Sequence, residues 1–147
     1  MTQVQTARGA IDDGDLGVTL MHEHVFVLSP EMVQNDPQVW GDEDKRVADA
    51  ITRLDELKAR GVDTIVDLTV IGLGRYIPRI AQIAAATQLN IVVATGLYTY
   101  NDIPMYYHFQ GPGTVLDGPE PMTELFVRDI TEGIAGTSIK AGELKCA

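Results

Sequence analysis

Cysteine is almost missing from this sequence. Cys146 stands alone, so no disulfide framework can form within the chain, and a reducing, cytoplasmic setting is expected. Basic residues are scarce as well: 11 Lys and Arg face 21 Asp and Glu, a formal net charge of −10. That balance repels phosphate backbones and anionic bilayers, so neither nucleic acid nor a membrane surface is an expected partner. No apolar run approaches the roughly 20 residues needed to cross a bilayer. The N-terminal stretch MTQVQTARGAIDDGD has no apolar centre and does not read as a secretion signal. Nucleotide-binding loops are absent too: no G-x-G-x-x-G follows the first apolar segment, and no G-x-x-x-x-G-K-[ST] occurs.

What remains is an ordinary globular composition, 45% apolar and 22% charged over 147 residues, enough for one domain (1–147) with a real core. Strand and helix patterns alternate along it. LGVTLMHEH (16–24) reads as a first strand and the polar stretch 29–44 as a long loop. From Glu43 to about Arg60, Val47, Ala50, Ile51, Leu54 and Leu57 recur at three- and four-residue steps, an amphipathic helix closed by Gly61. VDTIVDLTV (62–70) is a second strand and GLG (72–74) a turn. IPRIAQIAAATQ (77–88) is a second helix that tolerates Pro78 in its first turn. NIVVATGLY (90–98) is a third strand, a Pro/Gly-rich loop runs to about Pro121, MTELFVRDITEGI (122–134) is a third helix, and SIKAGELKCA (138–147) is a fourth strand.

Nearly continuous apolar strands separated by helices predict a parallel sheet with right-handed crossovers. A doubly wound sheet and a (β/α) barrel both fit this order. A (β/α)8 barrel needs about 250 residues, so four strands and three helices would amount to half of one, with both sheet edges open to a partner chain.

In a barrel, functional groups gather at the C-terminal ends of the strands. His22 and His24 in TLMHEHVFVL stand one residue apart on the first strand, so both point to one face and Glu23 to the other. The pair reads either as two satisfied histidines or as half of a metal site. Lys145 near the end of the fourth strand reads by itself as a solvated lysine, and Tyr98 as a packing aromatic.

Taken together, MHEH, DLTVIGLGR (67–75), ATGLYTYNDIPMYY (94–107) and GTSIKAGELKCA (136–147) resemble the phosphotriesterase family of the amidohydrolase superfamily, and within it the phosphotriesterase-like lactonases. The resemblance runs from about residue 8 to the end of the chain and corresponds to the first half of a (β/α)8 TIM barrel.

The resemblance implies a binuclear site for two divalent metal ions (Zn, or Fe, Co or Mn). His22 and His24 match the His-x-His pair that binds the more buried ion. Lys145 matches the lysine that is carboxylated and bridges the two, whereas Lys140, five residues earlier, is not expected to be a ligand. A carbamate on Lys145 replaces a cation that would repel metal with an oxygen-donating anion. Such ions polarise a carbonyl or phosphoryl oxygen and share a bridging hydroxide as the nucleophile. The family's remaining ligands, two histidines and an aspartate, have no counterpart here, and His108 matches none of them. Tyr98 in GLYTY matches the tyrosine of the lactonase branch, and Val27 and Leu73 match apolar positions around the substrate entrance. Asp67 and Asp102 read as structural residues that hold loop backbone.

The expected function is therefore metal-dependent hydrolysis of lactones, N-acyl-homoserine lactones or related rings, with weak organophosphate triesterase activity. The alternatives are a phosphotriesterase proper, and a non-catalytic piece that self-associates through its open strand edges. A homodimer is expected of the whole enzyme. With Lys145 taken as inward-facing, as the resemblance implies, alternation along the fourth strand places Glu143 inward as well and turns Leu144 and Cys146 to the helix layer.

Overall fold

In the computed structural model, all residues are described except Met1, Tyr100, Asp102 and Ala147, so the expectation for Asp102 lies outside the described residues. The chain opens with an element the hydrophobic pattern does not announce. Strands β1 (Gln3–Thr6) and β2 (Gly9–Asp12) form an antiparallel hairpin with Thr6 opposite Gly9, leaving Ala7 and Arg8 as its turn. Both strands are short and largely polar, and their place is set by what they touch. The Ala7 amide donates to the Ile91 carbonyl at 2.8 Å. The Arg8 guanidinium donates to the carbonyls of Ala84 (2.7 Å), Thr87 (2.6 Å) and Leu89 (3.1 Å). A cation is thereby placed on the orphan carbonyls at a helix C-terminus, where the helix dipole favours it.

The main sheet contains β3 (Thr19–Glu23), β4 (Thr64–Asp67), β5 (Asn90–Leu97) and β6 (Glu143–Cys146). All pairs are parallel, and the spatial order β3-β4-β5-β6 is the order in sequence. A doubly wound sheet reverses its strand order at a switch point; this one never does. The sheet is a curled half-barrel, as the barrel alternative required. Its strands are shorter than the apolar segments predict, because residues such as Val62 and Val70 pack at strand ends without pairing in the ladder.

Helices α2 (Glu43–Ala59), α3 (Ile77–Ala86) and α5 (Pro121–Thr131) are the crossovers. The first begins where the Asp42 side chain accepts from the Lys45 amide and ends at Gly61, whose φ of 91° only glycine adopts easily. The third begins where the Glu120 carboxylate accepts from the Met122 and Thr123 amides, and ends three residues before the expected Ile134. Two further short helices, α1 (Pro30–Asn35) and α4 (Met105–Phe109), lie in segments that read as loops. Neither buries a residue completely, so neither carries the apolar stripe that would reveal it.

Ile65, Ile91 and Val93 project from the sheet into a core with Val47, Ala50, Leu54, Ile77, Ile80 and Ile83. On the same outer side, Thr95 donates to Asp129 of α5 at 2.7 Å. Arg75 holds that carboxylate at 2.8 Å and the Ala94 carbonyl at 3.0 Å, tying α5 to the sheet. By alternation, Val92, Ala94 and Gly96 face inward. Among the described residues, no helix is long and apolar enough to cross a membrane.

Candidate metal centre

Strand β3 delivers its histidines through an irregularity. Leu20 pairs with Ile65 and Glu23 with Asp67, so three steps on β3 match two on β4. One extra residue is accommodated between them, a bulge of the kind that re-aims side chains beside sites. His22 lies inside this bulge, and His24 lies just past the last strand residue. The two imidazoles nevertheless meet edge to face, with ring centroids 5.4 Å apart and planes at 74°. Two imidazoles sharing one tetrahedral ion at about 2.0–2.1 Å per nitrogen would hold their centroids about 5 Å apart. The observed spacing fits that donor pair.

Lys145 comes to the same place from the opposite edge. It pairs with inward-facing Gly96, and Leu144 pairs with outward-facing Thr95. Lys145 and Glu143 therefore face the interior of the half-barrel, and Leu144 faces the helix side, 49% exposed. The Lys145 ammonium stands 5.2 Å from the Tyr98 ring centroid, within cation–π range. A cleft of about 250 Å³ opens beside it, bounded by Met21, Leu68 and Glu143 among others. Lys140 precedes β6 and is not part of the strand.

The electrostatics link these groups. His24 has its pKa lowered from the usual imidazole range, first by partial burial, then by the positive charges of Lys145 and His22, with Glu23 pulling the other way. A site that disfavours an imidazolium keeps the neutral ring that a metal requires. Among the described residues, no group of three or more His, Cys, Asp and Glu side chains is arranged to hold an ion. The expected donors among the described residues are two imidazoles and one amine, with the Glu143 carboxylate on the same inner face as the amine.

Tyr98 is 40% exposed at the strand end, where its amide donates to the Ile71 carbonyl at 2.9 Å. The other proposed substrate contacts are less alike than the sequence suggests. Val27 is 56% exposed, whereas Leu73 is buried. Their loops are joined by the Leu28 amide donating to the Leu73 carbonyl at 3.1 Å. His108 lies exposed on α4, away from the histidine pair in sequence and element.

Thr69 is the residue that sequence reading passed over. It is buried, and its hydroxyl lies 3.0 Å from the Nδ1 of His24 and 2.5 Å from the Asp67 carboxylate. The Asp67 carboxylate also accepts the Thr69 amide at 3.0 Å, the loop-holding role expected of it. Burial pushes the Asp67 pKa up to about 6, against the lowering effect of those hydrogen bonds. The Asp-x-Thr spacing in DLT is the signal available in the sequence: a carboxylate two residues before a hydroxyl favours such a turn.

The phosphotriesterase family model matches residues 2–147. A phosphotriesterase homology protein of Mycobacterium tuberculosis is 75% identical over 147 residues, covering all of this chain and 45% of its own length. An aryldialkylphosphatase of Saccharolobus solfataricus is 39% identical over 140 residues, 95% of this chain and 42% of its own. The solved structure of the phosphotriesterase from Mycobacterium tuberculosis superposes with a TM-score of 0.94 at 74% identity, covering 99% of this chain and 45% of that one. The chain thus spans less than half the length of these relatives.

Proposed function

This chain belongs to the phosphotriesterase family, and from that premise we propose that it is the N-terminal half of a metal-dependent lactonase. In this reading a second half completes a (β/α)8 barrel, supplies the remaining ligands, and closes β6 on its outer edge. The whole enzyme is a homodimer. The observation that carries the reading is the 5.4 Å approach of the His22 and His24 rings, with Lys145 facing the same interior from β6.

His22 and His24 would hold one divalent ion through neutral ring nitrogens, and Lys145 would offer the site an oxygen-donating carbamate. To do so its neutral amine adds to carbon dioxide: a nitrogen–carbon bond forms, a proton leaves to solvent, and an anionic carbamate replaces the cation. When bound, such ions supply Lewis acidity towards an ester carbonyl or phosphoryl oxygen and make water nucleophilic at neutral pH. Tyr98, beside Lys145, presents its phenol where a lactone ring would lie and orients it by hydrogen bonding. Exposed Val27 would offer apolar surface to the incoming substrate, and buried Leu73 would act only through the loop it packs in.

A second reading draws on the names of the relatives: a phosphotriesterase homology protein and an aryldialkylphosphatase favour phosphotriesters as the principal substrates. Steady-state kinetics on a chain carrying the complete barrel separates the two. Higher kcat/KM for an N-acyl-homoserine lactone than for a dialkyl aryl phosphate, with Tyr98→Phe depressing the lactone rate more, is the expected result. The reverse order would establish the phosphotriesterase reading.

A further inference from the structure

Behind the histidine pair, two buried groups that the proposed chemistry does not use, Asp67 and Thr69, form a chain leading to His24. Thr69 is only 6% exposed. Its hydroxyl has three neighbours: the Asp67 carboxylate at 2.5 Å, the His24 Nδ1 at 3.0 Å and the Phe26 carbonyl at 3.3 Å. A hydroxyl carries one hydrogen, and both Asp67 and Phe26 can only accept. Asp67 is the nearer and the stronger acceptor, because a charged oxygen draws a hydrogen bond more strongly than a neutral one. The hydroxyl hydrogen therefore points away from His24, and a lone pair of the oxygen faces the ring.

The imidazole must then supply the hydrogen of the third contact. A neutral imidazole has one N–H; with it on Nδ1, the nitrogen on the side of the ring away from Nδ1 keeps a bare lone pair. We infer that Thr69 is a positioning residue: anchored by Asp67, it fixes His24 as the Nδ1–H tautomer and reserves Nε2 for an ion. This rests on the metal-binding reading of the histidine pair. It assigns His24 a supported ring, whereas exposed His22 has no such hydrogen-bond partner among the described residues. Metal-binding histidines need such an outer hydrogen bond to set tautomer and orientation.

The test uses a complete-barrel chain labelled with 15N-histidine and stripped of metal, at about pH 8, where free imidazole is neutral. Long-range 1H–15N correlation reads the tautomer of His24, assigned by loss of its signals in His24→Gln. Competition with a chromophoric chelator reads zinc affinity. The expected wild-type tautomer is Nδ1–H. Thr69→Val, which keeps the shape but removes the hydroxyl, should lose that preference and weaken zinc binding by about 10- to 100-fold. Thr69→Ser should restore both. An Nε2–H tautomer in the wild type would overturn the inference, as would a Thr69→Val variant with unchanged tautomer and affinity. If Thr69→Val fails to fold, the wild-type tautomer and the Thr69→Ser affinity still decide. A wild type that shows the Nδ1–H tautomer yet binds no zinc would uphold the relay and sink the metal site instead.

Discussion

Gly96 on β5 lies directly opposite Lys145 on β6, and a Cβ on that glycine would stand 1.7 Å from the Lys145 carbonyl oxygen. The strand bearing the lysine can approach only because position 96 has no side chain, and its φ of 129° would strain any other residue. Gly96→Ala should therefore destabilise the protein by roughly 2–4 kcal/mol, the range for combined steric and backbone strain. It should also push Lys145 away from the histidines. Chemical denaturation with zinc titration checks both, and a fully stable variant with normal zinc affinity would refute the close-approach argument.

On the proposed role of Lys145 as a carboxylated metal ligand, Lys145→Ala in a complete-barrel chain should lose bound metal and nearly all turnover. Short carboxylates added to the buffer should restore part of the activity by standing in for the carbamate. Lys140→Ala should keep its metal, because Lys140 lies outside β6. Metal content by plasma mass spectrometry, together with rates, distinguishes the two. Equal behaviour of the two variants would remove Lys145 from the site.

Asp67 carries a pH signature. Its folded pKa of about 6 lies above the ordinary carboxylate value of 3.8, so between those values the folded state binds more protons than the unfolded one. Its contribution to stability is full below the unfolded pKa and is lost as pH rises through about 6. By neutral pH a shift of this size amounts to about 3 kcal/mol. Asp67→Asn, which keeps an acceptor for Thr69, should flatten the fall in stability between about pH 4 and 6 relative to wild type. Parallel denaturation profiles for the two proteins across that window would contradict the buried-carboxylate argument.

Arg8 should matter for stability although it is far from the histidines. Arg8→Ala leaves the carbonyls of Ala84, Thr87 and Leu89 without their shared donor, a loss of about 1–2 kcal/mol for charged hydrogen bonds near the surface. Arg8→Lys should recover only part, since one ammonium cannot reproduce the fork of a guanidinium. Thermal melts of the three proteins would show the order; an unchanged melting temperature in Arg8→Ala would count against the cap.

The outer edges of β3 and β6 bear on the behaviour of the 147-residue chain by itself. Unpaired strand edges recruit other strands, so this chain should dimerise or aggregate, and light scattering should report it. A monodisperse monomer would argue that the edges are protected.

The sequence by itself determined the parallel α/β pattern, because the helical period of Val47, Ala50 and Leu54 and the continuous apolar run of Ile91, Val92, Val93 and Ala94 are local properties written directly into the chain. It also determined that Glu143 and Lys145 share one face and Leu144 the other, since alternation follows from backbone geometry alone; which face turns inward was decided by the pairing of Lys145 with Gly96. Choosing between a doubly wound sheet and a barrel required the strand order, a relation between distant segments that no local period encodes. The same holds for the hairpin at Gln3–Asp12, whose polar strands are stable only against the carbonyls and strand that Arg8 and Ala7 reach. The bulge that contains His22, whose ring lies 5.4 Å from that of His24, depends on the register between β3 and β4. Thr69 became visible as the partner of His24 only when two strand ends, 45 residues apart in the chain, were placed side by side.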